Sequence, residues 1–264
     1  MMNKGNAMYA VALSIPNDDC NGAMNLQMIL AANDNNAIQE KVRPEGGMYV
    51  GERLMIARPL ENKEHAEHRL LRELKNRNWS KDSCIVFFVK ESPCTEKCLN
   101  DRKNNNNILE LLKTFDQWAK EKKAFLFQNI YYRDQGDPKE QQKIKELRDQ
   151  GFNDNMIKAM LDVNDIPPPP KTRSQLLSAF QRIEEHVPLY RCNEYTRVGC
   201  VHCLEEETSL NDNGCLYGLA TESGASSHQS RGSSSQAGSR GSHGQSSSKK
   251  QNERSRSPLS RNAG

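Results

Sequence analysis

Two short segments hold residues whose types and spacing suit metal-assisted hydrolysis. They are His65-Ala66-Glu67 and Pro93-Cys94-Thr95-Glu96-Lys97-Cys98. A catalytic zinc takes three protein ligands and keeps a fourth position open for water. One imidazole and two thiolates, from His65, Cys94 and Cys98, meet that count. Bound zinc lowers the pKa of its water from ~16 toward ~7. A carboxylate that is not a ligand must then carry the proton, and Glu67 stands beside the ligand His65. Alone, His-x-Glu reads as the polar start of a surface helix. It gains meaning from the second segment, where Pro directly precedes the first Cys after an apolar run.

The elements that must position these residues can be read from periodicity. Residues 63–77 repeat Ala66, Leu70, Leu71 and Leu74 on one helical face, with Asn62 as the expected N-cap. Residues 84–89 are a continuous apolar run, as in a strand covered on both faces. Pro93 opens a helical turn, where its missing N–H is harmless. Four residues apart on a helix, Cys94 and Cys98 share a face. Strands are expected at 8–15, 48–58 and 124–132, and helices at 108–120, 139–150 and 174–186. Gly151 closes the second of these helices. A short helix is expected at 24–31, a loop at 104–107 and an extended proline spacer at 167–170. Alternating strands and helices indicate an α/β layered domain.

His-x-Glu followed by Pro-Cys and a second Cys resembles the zinc nucleobase deaminase signature. The chain is thus similar to the cytidine deaminase-like superfamily, in its AID/APOBEC-like branch. Ser92 before Pro93 and the run Ile130-Tyr131-Tyr132-Arg133-Asp134 add to the resemblance. It spans roughly residues 48–151. It implies a cytidine deaminase-like fold, a central mixed sheet of about five strands flanked by helices. It implies Zn2+ as cofactor, Glu67 as catalytic residue and cytosine-to-uracil conversion in single-stranded DNA or RNA. Ala66, Ser92, Pro93, Tyr131, Tyr132 and Asp134 become candidates for substrate contact; for the two tyrosines, packing along a strand is the other reading. The cysteine gap is three residues where two is commoner, but at ~100° per residue both gaps keep the thiolates on one face. The family has its fifth strand after Gly151, and residues 152–157 read poorly as one. The alternatives to polynucleotide editing are a deaminase of free nucleoside or nucleotide, and an inactive zinc protein that binds nucleic acid or a partner.

Composition divides the 264 residues into a zinc domain (1–165), a helical, Cys-rich extension (166–220) and a tail (221–264). The tail is Ser, Gly, Gln and Arg with almost no large apolar side chain, so disorder is expected. It carries seven basic and two acidic residues, which leaves the body near −2 although the whole chain is +3. Any nucleic-acid contact in the body therefore needs a local patch. Cys192, Cys200, Cys203 and Cys215 are open to three readings: a second metal site, disulfides or unpaired thiols. No run approaches the ~20 apolar residues of a membrane span. Residues 8–13 suit a first strand better than a signal peptide. Without such a signal, the sequon Asn78-Trp79-Ser80 is expected to be silent, and the cytoplasm or nucleus is the expected compartment. Secretion is the alternative.

Overall fold

In the computed structural model the described residues are 8–20, 35–60, 63–101, 106–163, 166–192, 199–204 and 213–219. The helix expected at 24–31 and the tail lie outside them, as does Asn62. The chain divides into units of residues 1–223 and 224–264, and every described element belongs to the first.

The elements are β1 (Ala10–Ile15), α1 (Asn35–Val42), β2 (Met48–Val50), β3 (Leu54–Ala57), α2 (Ala66–Lys75), β4 (Cys84–Glu91), α3 (Leu109–Leu112), β5 (Lys123–Asn129), α4 (Tyr132–Gln135), α5 (Pro138–Asp149), α6 (Asp154–Leu161), α7 (Arg173–Glu184), β6 (Leu189–Cys192) and β7 (Cys200–His202). One mixed sheet runs β2-β3-β1-β4-β5-β6-β7, seven strands where about five were expected. Gly51 splits the expected strand at 48–58 into the hairpin β2–β3, with Gly51 N–H bonded to Leu54 O at 2.8 Å. The other surplus strand is β7, antiparallel to β6.

Strand β4 is central because its side chains are apolar on both faces. It pairs antiparallel with β1 and parallel with β5. Phe87 on β4 packs against Phe125 on β5 at 4.9 Å between ring centroids, and edge-on against Phe115 at 6.0 Å. Helix α2 buries Ala66, Glu67, Leu70, Leu71 and Leu74. A Leu60–Glu64 bridge holds the preceding chain extended, so the helix starts at Ala66, three residues later than expected.

The helix expected at 108–120 is one α turn, α3, followed by a 3-10 segment, Lys113–Gln117. Buried Leu112, Phe115 and Trp118 recur every third residue, which matches three residues per turn rather than 3.6. Gly151, at φ +88°, follows the end of α5 as expected. Beyond it the chain is helical: Asn153 caps α6 by accepting from Met156 N–H. The strand beside β5 comes instead from the extension. It is β6, parallel to β5.

The cysteines of the extension pair as Cys192–Cys200 and Cys203–Cys215. Their thiols are thereby used, and His202 faces Glu184 at 2.9 Å. A third disulfide, Cys20–Cys84, was not foreseen.

Candidate metal centre and its cavity

Parallel strands deliver their C-terminal ends to one edge of a sheet, where α/β proteins place ligands. Here β4 ends in Ser92–Cys98 and β5 in Ile130–Asp134. Ser92 stitches the two ends together. Its N–H donates to Asn129 O at 2.7 Å, and its Oγ accepts from Tyr131 N–H at 3.0 Å. The N-terminus of α2 meets them there, with His65 as N-cap.

Cys94 and Cys98 share a face through a single turn rather than a helix. Cys98 N–H and Leu99 N–H both donate to Cys94 O at 3.1 Å, after which the chain turns away. The two Sγ atoms lie 3.3 Å apart, and His65 Nδ1 lies 3.1 Å from Cys98 Sγ and 3.8 Å from Cys94 Sγ. A tetrahedral zinc with bonds of ~2.3 Å to sulfur and ~2.05 Å to nitrogen spaces its ligand atoms ~3.6–3.8 Å apart. The donor set therefore fits such an ion with shifts of a few tenths of an ångström. Cys94 and Cys98 are also the free cysteines, both buried, while the other six form disulfides.

Glu67 is buried beside the three donors. Its Oε1 accepts from the Cys98 thiol at 3.0 Å and lies 3.4 Å from His65 Nδ1. Burial alone would push this carboxyl up, but the hydrogen bond and charge of His65 bring it below the usual carboxylate range. Burial would likewise lower His65. Hydrogen bonds to Cys94 and Glu67 outweigh it and lift the imidazole to about 10. The hydrogen-bonded contact with Cys98 lowers the Cys94 thiol to about 5, and the same contact, with burial, holds Cys98 well above the usual thiol range.

Two residues outside the four hold the turn and the histidine in place. Asn106 is buried; its Oδ1 accepts from His65 N–H at 2.6 Å and its Nδ2 donates to Lys63 O at 3.2 Å. Asp134 is buried and accepts from Thr95 N–H at 2.9 Å and from the Thr95 hydroxyl at 2.7 Å. Burial pushes its carboxyl up to about 6 against those two bonds. Asp134 thus anchors the cysteine turn and does not line the cavity.

A cavity of about 310 Å³ opens onto the donor set. His65, Ala66, Glu67, Ser92, Cys94, Tyr131 and Tyr132 line it, and Pro93 does not. At its mouth Tyr132 is 59% exposed, with Tyr131 edge-on at 4.8 Å and the Arg133 guanidinium 5.8 Å from its ring. Glu91 also lines the wall. Burial raises its carboxyl, a Tyr132 N–H opposes that, and its Oε2 has no hydrogen-bond partner. Sequence reading missed Asn106, Thr95 and Glu91. The Asn run carried only a loop signal, and nothing local says which of its side chains turns inward.

A family model described as Secreted Novel AID/APOBEC-like Deaminase 1 matches residues 1–219. No curated protein and no solved structure matches the chain.

Proposed function

Taking as premise that the chain belongs to this family of AID/APOBEC-like deaminases, we propose that it is a zinc-dependent enzyme converting cytosine to uracil in single-stranded nucleic acid. The observation that carries the zinc reading is the pair of free, buried thiols beside His65, in a chain whose other cysteines are oxidised. Zinc held by His65, Cys94 and Cys98 would supply, when bound, an acidified water as the nucleophile.

This chain's own residues do the rest. Glu67 takes a proton from the attacking water and gives it to the ring nitrogen of the base as the C–O bond forms. It then passes the remaining hydroxyl proton to the exocyclic nitrogen. The C–N bond breaks, ammonia leaves and a carbonyl remains. Asn106 and Asp134 keep His65 and the cysteine turn in register. A target base must be unpaired or extruded to reach such a cavity. Tyr132, exposed at the mouth, offers a stacking face to the neighbouring nucleotide, and Arg133 beside it offers a cation.

A free nucleoside is the second reading. It is favoured by the wall itself, where Glu64, Glu67 and Glu91 offset Lys63, Lys97 and Arg133. The basic tail would restore phosphate attraction. Deleting residues 221–264 should then weaken single-strand binding and flatten its salt dependence, and unchanged binding would remove that role. Purified protein offered single-stranded DNA, RNA and cytidine decides the substrate by where uracil or uridine appears. No product on any of the three, with one zinc per chain, would leave a metal-binding protein without this activity.

Three disulfides and the family's description as secreted support export into an oxidising compartment, over the cytoplasm or nucleus. No helix among the described residues is long and apolar enough to cross a membrane.

A further inference from the structure

We propose that Asn78 carries an N-linked glycan; the inference rests on the secretory reading above. The chain holds one Asn-x-Ser/Thr sequence, Asn78-Trp79-Ser80, just past the end of α2. Burial across it runs exposed, buried, exposed. Trp79 points inward, and its indole N–H donates to Glu52 O at 2.7 Å. Ser80 is held from behind, its carbonyl accepting from Trp118 Nε1 at 3.1 Å and from the Ser83 hydroxyl at 2.5 Å. An anchor on either side of the peptide leaves Asn78 turned to solvent, so an attached sugar displaces no packing.

The chemistry is transfer from a lipid-diphosphate-linked oligosaccharide. The Asn78 side-chain nitrogen bonds to the anomeric carbon, whose C–O bond to the diphosphate breaks. The lipid diphosphate leaves with that electron pair, and the amide nitrogen gives up one proton to the transferase. The placement suits an enzyme. His65 caps one end of α2, and Asn78 follows the other, ten helical residues or ~15 Å away. The glycan would therefore leave the cavity open. It would stand instead beside the β2–β3 turn, which Arg77 also contacts through Gly51 O at 3.1 Å. That turn ends the edge strand β2, and a bulky polar group there opposes strand addition.

The test expresses the full chain in mammalian cells twice, under its own N-terminus and behind a secretory leader. The expected result is one slower-migrating species in the medium that peptide-N-glycosidase collapses, with Asn78 converted to Asp. Asn78→Gln and Ser80→Ala should each lose the shift. Ser80→Thr, which keeps the acceptor sequence, should retain it. A leader-routed chain in the medium with bare Asn78 overturns the site itself. A glycosylated leader-routed chain beside a bare, cytosolic chain under its own N-terminus overturns the secretory reading, and the modification of the native protein with it.

Discussion

Asn106→Ala tests how the metal centre is held. The change removes the acceptor 2.6 Å from His65 N–H and the donor 3.2 Å from Lys63 O. Losing the first bond leaves the part-buried His65 N–H unpaired, at a cost of about 1–3 kcal/mol, and losing the second costs about 1 kcal/mol. Unfolding stability should fall by about 2–4 kcal/mol in denaturant titration. Residues that orient a metal ligand typically contribute about 10–100-fold in affinity. Zinc affinity, measured against a competing chelator, should fall within that range. Asn106→Asp keeps the acceptor but loses the donor. It should bind zinc nearly as wild type while losing stability, because a carboxylate then faces the Lys63 carbonyl. Wild-type zinc affinity in Asn106→Ala would refute the claim that this residue positions His65.

Zinc affinity should rise with pH. Coordination needs a neutral imidazole and two thiolates. His65, lifted to about 10, and the strongly raised Cys98 hold their protons at neutral pH, while Cys94, lowered to about 5, has lost its own. Binding should therefore release about two protons near neutrality and more below about pH 5. Proton-release titration checks this, and a pH-independent affinity would count against the assigned donors. The disulfides should differ in weight. Chain entropy gives about 4 kcal/mol for the 64-residue Cys20–Cys84 loop and about 2.5 kcal/mol for the 8-residue Cys192–Cys200 loop. Replacing each pair by alanine and measuring unfolding should reproduce that order; equal losses would contradict it.

Features of the site carried by local pattern were legible from residues alone. His65 caps an amphipathic helix and Glu67 lies in its first turn, while Cys94 and Cys98 follow an apolar strand. Both signals are short-range, and the structure brings all four side chains together. What escaped reading depends on distant partners. Asn106 reaches 41 residues back to His65 N–H, and Asp134 reaches 39 residues back to Thr95. No local periodicity encodes such pairs. Residues 152–157 read poorly as the fifth strand that family order places there, and the structure agrees, since Asn153 is an N-cap and opens a helix. The sheet takes its next strand from residues 189–192, short enough to be hidden by the helix before it. Cysteine pairing was equally out of reach, since four cysteines allow several connectivities and spacing does not choose among them.

The proposed mechanism has Glu67 carry the proton at a zinc centre it does not help to bind. Its most direct measurement sets wild type beside Glu67→Ala, scoring uracil product and zinc content on the same preparations. One zinc per chain is expected in both proteins, with a rate lower by about 10²–10⁴-fold in the variant. Undiminished turnover, or loss of zinc together with activity, would contradict the mechanism.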